Sequence, residues 1–149
     1  AYQSFLASNG LKQNPLLIAY GRHVYDGGYS AMQQILNSDV SFTAVLASND
    51  ESALGAMQAL NEAGLKVPQD VAIIGFDNRL EGAVQEPGLS SIHVPLFNMG
   101  YQALKRMFEH LAGKTELSGT LKVDTRLVAR ASCGPAGSRR SARPRRRAG

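Results

Sequence analysis

Residues 43–78 read TAVLASNDESALGAMQALNEAGLKVPQDVAIIGFDN, and this stretch decides the fold. It opens on a continuously apolar run, residues 43–47, as expected of a strand covered on both faces. Ser48 and Glu51 then stand at capping-box spacing. The helix they introduce carries Leu54, Met57 and Leu60 together with Ala53, Ala56, Ala59 and Ala63. Gly64 suits the left-handed position that closes such a helix. Pro68 keeps the chain extended before a second apolar strand over 71–76. Strand, helix and strand with buried strands predict a βαβ unit and a parallel sheet, hence an α/β fold.

The same alternation extends outward. Upstream, residues 2–7 read as the end of a helix stopped by Asn9-Gly10, and residues 16–20 as a strand. Gly27 and Gly28 precede a helix with Tyr29, Met32, Ile35 and Leu36 on one face. Downstream, a short helix is expected over 80–85 and an extended stretch over 90–95. The most amphipathic helix follows, carrying Met99, Leu104, Met107, Phe108 and Leu111. Residues 121–124 and 125–131 read as paired strands.

Composition narrows the class. With 149 residues, 44% hydrophobic and 19% charged, the chain fits one globular domain and excludes wholesale disorder, collagen and coiled coil. No apolar run approaches the ~18 residues of a membrane span, and no signal-peptide pattern is present. The single cysteine, Cys133, excludes an intramolecular disulfide and fits the cytoplasm. The net charge of +4 is unevenly spread. Six of the sixteen basic residues are arginines in residues 135–149, PAGSRRSARPRRRAG, leaving ten against twelve acids in the body. That tail lacks the apolar surface to order itself and reads as a disordered extension. Its alternative is an arm that adheres to nucleic acid through phosphates.

Enzyme chemistry finds little purchase. There is no G-x-G-x-x-G, P-loop or G-x-S-x-G pattern. His23, His93 and His110 lack metal-ligand spacing, so neither a metal nor a cofactor is expected. Ser91 and His93 share a strand face, but no acid or oxyanion hole accompanies them. Cys133 has no basic neighbour that would make it a nucleophile. The reading is a protein that is not an enzyme.

Ligands of parallel sheets bind beyond the carboxyl ends of the strands, here residues 22–25, 48–50 and 77–79. Asp77 offers two acceptor oxygens to vicinal hydroxyls or an NH-rich ring edge; an ordinary Asx turn is the competing reading. Asn49 can pair with a ligand through donor and acceptor, or simply cap the following helix. His23 either stacks on or bonds to a ligand, or is merely solvated.

Taken together, the 43–78 segment, the PGLSSIHVP passage at 87–95 and the strand RLVARASC at 126–133 resemble the effector-binding core of LacI/GalR-type bacterial transcription regulators. These share the type I periplasmic-binding-protein-like fold, and the likeness covers residues 1–134. It implies an incomplete two-lobed parallel-sheet domain. Residues 1–89 would belong to the second lobe, and residues 90–134 to a crossover and return to the first. A helix-turn-helix DNA-binding segment and most of the first lobe would lie outside the chain, which therefore reads as a piece of a longer protein. The open sheet edge and the apolar face of the 99–111 helix would then be prone to association.

The resemblance implies that Asn49, Asp77 and His23 bind a small sugar-like or nucleoside-like effector that controls DNA binding allosterically. Leu54, Met57, Val84 and Gln85 would lie at a homodimer interface. Two departures bear on the effector: His23 stands where the family often has a stacking aromatic ring, and Val94 where several members have a ligand-contacting glutamine. Other outputs remain open, namely a sensor domain ahead of a kinase or cyclase, or nucleic-acid binding through the arginine tail. No membrane association is expected.

Overall fold

A computed structural model of the chain describes residues 2–114, 116 and 118–134; the expected arginine-rich tail at 135–149 lies outside them. Four strands form one sheet in chain order: β1 (Ala44–Leu46), β2 (Ala72–Asp77), β3 (Ser90–His93) and β4 (Arg126–Val128). The first three run parallel, with Val45 beside Ile73 and Asp77 beside His93. β4 returns antiparallel, setting Ser91 against Val128. The sheet is thus mixed but mostly parallel. It continues without a break across the 89/90 division that the resemblance implies.

Five helices are interspersed: α1 (Tyr2–Ser8), α2 (Tyr25–Leu36), α3 (Asp50–Glu62), α4 (Leu80–Ala83) and α5 (Leu96–Leu111). α3 packs against β2 on one side and α2 on the other. Met32, Ala53, Ala59, Leu60, Val71, Ile73 and Leu89 are buried together there. Fully burying a side chain such as Leu60 contributes about 1.5–3 kcal/mol, and the alanines let the helices approach closely enough to exclude water.

Several local expectations need correction. Gly27 and Gly28 lie inside α2, not before it. Their role is backbone contact: a Cβ on Gly28 would sit 2.2 Å from the Ser52 carbonyl oxygen, and one on Gly55 2.0 Å from that of Tyr25. Residues 16–20 form no strand. Pro15–Leu17 is a 3-10 turn started by Asn14, whose side chain accepts from the Leu16 amide, and no ladder partner lies beside the following residues. Of the paired strands expected over 121–131, only Arg126–Val128 joins the sheet, and its partner is β3. Downstream of β4, residues 131–133 fold back as a second 3-10 turn against β2 and β3.

α5 is amphipathic, as its pattern predicts, yet none of its residues is buried; Phe97, Phe108 and Leu111 are largely exposed. Leu121 and Val123 share a groove with Met99 and Ala103, and Arg106 donates to the Ser118 carbonyl at 2.7 Å, so the described residues cover only part of its apolar face.

Candidate functional site

The parallel strands deliver their carboxyl ends to one edge, where α2, α3 and α4 also begin. Backbone strain concentrates there. Arg22, His23, Asp77 and Asn78 all have left-handed φ, from +52° to +103°. Such conformations cost non-glycine residues of order 1–3 kcal/mol each and persist only where surrounding structure enforces them.

Asp77 ends β2 with φ +103° and is half-buried. Among the described residues its carboxylate has neither a hydrogen-bond nor an ion-pair partner. Burial pushes its pKa above the ordinary carboxylate value, and the nearby Asp50 charge pushes the same way, partly offset by Arg79 and His23. A half-buried acceptor of this kind at the sheet edge is poised for a ligand's hydroxyl or N–H donors.

Asn49 is the N-cap of α3. Its Oδ1 accepts from the Ser52 amide at 3.0 Å, while its Nδ2 donates to the His23 carbonyl at 2.8 Å. The capping reading therefore holds. One amide hydrogen and one lone pair of the side chain remain for a further bond. The capping-box expectation was displaced by one residue. Ser48 Oγ instead meets His23 Nδ1 at 3.1 Å, and Glu51 pairs with Arg79 at 2.9 Å. His23 is exposed and joined to the same cluster. The structure thus brings Asn49 and His23 into direct contact, and Asp77 ends the strand that pairs with β1, whose chain leads on to Asn49.

Ser91 and His93 make no bond to each other. Ser91 Oγ donates to Asp50 Oδ1 at 2.6 Å and accepts from the Asn78 amide at 3.0 Å; His93 Nδ1 lies 3.3 Å from Asn78 Nδ2. Cys133 Sγ lies 3.5 Å from the Ile73 carbonyl, on the sheet rather than in a reactive site. No group of three or more metal-ligating side chains occurs among the described residues.

Sequence reasoning missed two anchors. Asp50 was grouped with the polar strand end but is only 1% exposed. Arg130, 52 residues downstream of Asn78, donates to Asn78 Oδ1 at 2.7 Å and to the Leu89 carbonyl at 2.6 Å. No local pattern signals that pairing. Arg130 stands just past β4, before the 131–133 turn.

The residues expected at a dimer interface lie on another face. Leu54, Met57 and Gln85 line an open groove of about 570 Å³ together with Tyr25, Leu65 and Pro87. Met57 is largely taken up by the core, and Val84 beside the groove is 75% exposed.

The structure is an α/β module with a mostly parallel sheet and polar, strained loops at the carboxyl ends of its strands, where sheets of this kind take ligands. Comparison with known proteins narrows this further. Residues 1–133 match the family of periplasmic binding protein-like domains. The chain is 38% identical over 134 residues to the HTH-type transcriptional repressor PurR of Pasteurella multocida, covering 88% of this chain and 40% of the repressor. Among solved structures, the transcriptional regulator CelR–cellobiose complex aligns with TM-score 0.83 and 30% identity over 88% of this chain and 40% of that one. The lac repressor dimer bound to operator and the anti-inducer ONPF aligns with TM-score 0.80 and 28% identity, over 89% and 39%.

The chain belongs to the periplasmic binding protein-like domain family, in its LacI/GalR-type, PurR-like branch of effector-binding domains. It spans about two-fifths of the length of the PurR relative. Such relatives are transcriptional repressors and not enzymes.

Proposed function

We propose that the chain is the ligand-sensing part of a LacI/GalR-type transcription regulator, taking a small neutral effector of the sugar or nucleoside class at the carboxyl edge of its sheet. Asp77 accepts from the ligand's hydroxyl or N–H groups. Asn49 contributes its remaining donor, and His23 flanks the ligand. The observation that carries this reading is the half-buried Asp77 carboxylate, without a partner among the described residues and held in left-handed backbone among polar neighbours. Two acidic groups near each other at the edge, Asp77 and Asp50, disfavour an anionic ligand. Val94, next in chain after β3, cannot supply the hydrogen bond of the glutamine that several family members have at that place.

The effector acts by binding two arrangements of the lobes with different affinity, and that difference changes DNA affinity in an attached helix-turn-helix segment. No bond in the ligand is made or broken. The groove beside Leu54, Met57, Val84 and Gln85 serves a homodimer, and the regulator works in the cytoplasm. The PurR relative is named a transcriptional repressor and the lac repressor structure is a dimer on its operator, which supports both points.

Thermal unfolding of the full chain with adenosine, guanosine, D-ribose and cellobiose tests the reading. At least one compound raises the transition midpoint, and Asp77→Ala removes the increase. A flat response throughout, or one indifferent to Asp77→Ala, refutes it.

A further inference from the structure

Asp50 is the most deeply buried charged side chain at the site's edge, 1% exposed. An isolated carboxylate in such a place is strongly disfavoured, so its partners show what it is retained for. Both lead to the same turn. Asp50 Oδ2 accepts directly from the Arg79 amide at 2.7 Å. Asp50 Oδ1 accepts from Ser91 Oγ at 2.6 Å, and that hydroxyl oxygen in turn accepts from the Asn78 amide at 3.0 Å. Two consecutive backbone N–H groups immediately after Asp77 thus end on one carboxylate, one of them through Ser91.

The sequence makes room for this arrangement. Gly75 lies in the interior of β2, where a side chain would ordinarily strengthen the strand. A Cβ there would stand 2.2 Å from Asp50 Oδ1. From the other side, Arg130 grips the Asn78 side chain. The turn is held at its backbone amides and at the Asn78 side chain, while the Asp77 carboxylate has no hydrogen-bond or ion-pair partner among the described residues.

We propose that Asp50, acting through Ser91, is a positioning residue that locks the Asp77–Asn78 turn in its left-handed conformation and so presents the Asp77 carboxylate to the effector. This rests on the effector-binding reading above and adds to it a group that never touches the ligand. A charge-assisted bond to the Arg79 amide, and a second to the Ser91 hydroxyl that in turn accepts from the Asn78 amide, replace the hydration that an open turn would seek, and they oppose relaxation of φ at 77 and 78 into the extended region.

Amide hydrogen exchange by NMR on the ligand-free full chain tests the clamp without any effector. In the native protein the Asn78 and Arg79 amides exchange at least 100-fold more slowly than freely solvated loop amides; exchange at loop rates overturns the proposal, whether or not any variant folds. In Ser91→Ala the Asn78 amide exchanges at least tenfold faster while the β1 and β2 amides keep their rates, and Ser91→Thr, which retains the hydroxyl, restores protection. Unchanged Asn78 exchange in Ser91→Ala, or equal acceleration across the sheet, shows a core-stabilising role only and overturns it. Binding of adenosine, guanosine, D-ribose or cellobiose to the native chain is scored separately: absence of binding by all four defeats the effector reading, while the exchange data still decide the clamp. Where one of these binds, Ser91→Ala weakens it at least tenfold with Asp77 intact; unchanged affinity contradicts the positioning role.

Discussion

Replacing Asn49 by alanine separates its two roles in the structure. The side chain caps α3 through the Ser52 amide and tethers the left-handed His23 through its carbonyl. Losing an N-cap costs about 1 kcal/mol, and losing one net hydrogen bond costs about 1 kcal/mol more. Asn49→Ala should therefore destabilise the fold by about 2 kcal/mol, and at this chain length each kcal/mol moves the melting midpoint by about 2–4 °C. Asn49→Ser keeps a capping oxygen but is too short to reach the His23 carbonyl, so it should cost about 1 kcal/mol. Urea unfolding followed by circular dichroism, with an unchanged slope against denaturant, measures both. A loss for Asn49→Ala within the ~0.5 kcal/mol of an ordinary surface change, or equal losses for the two variants, would refute the double role.

Further outcomes follow from other residues. The pKa of Asp77 is raised in the fold, so the native state holds its proton more tightly than the unfolded chain does; its contribution to stability is therefore greatest at low pH and declines as pH rises from below the ordinary aspartate value through the raised one. Asp77→Asn removes that decline, which pH-dependent denaturation detects as equal or greater stability at pH 7, while effector affinity is lost. Leu60→Ala empties a fully buried site and should cost 2–5 kcal/mol, read from the urea midpoint. Val84→Glu, at an exposed position beside the Leu54 groove, should leave the melting midpoint unchanged and weaken self-association of the full-length regulator in sedimentation velocity.

How far the sequence anticipated the structure depends on the range of the interactions. The 43–78 unit was legible because each decision in it is local: an apolar strand, a small-residue helix, a left-handed glycine at position 64 (φ +72°), a second strand. The α2 start was misplaced because Gly27 and Gly28 ordinarily signal a turn, whereas here they permit contact with α3. Residues 16–20 have strand-like composition, but a strand exists only where a neighbour accepts its hydrogen bonds, and none of the described residues pairs with them. Asp77 and Asn49 stand at strand ends as the sequence places them, but position alone leaves a turn and a helix cap as competing roles, and their binding role is the proposal made above. Asp50 was read only as one of three polar strand-end residues, because its importance lies in Ser91, 41 residues away, and in the absence of a side chain at Gly75. Arg130 was hidden for the same reason.

The most direct measurement is a map of NMR shift changes on the full chain as adenosine and cellobiose are titrated in. Saturable changes gathered at His23, Asn49, Asp77 and Asn78, and lost in Asp77→Asn, are what this account requires. Saturable changes centred on the groove beside Leu54 and Leu65, or a bound compound that leaves His23, Asn49, Asp77 and Asn78 unshifted, would contradict it.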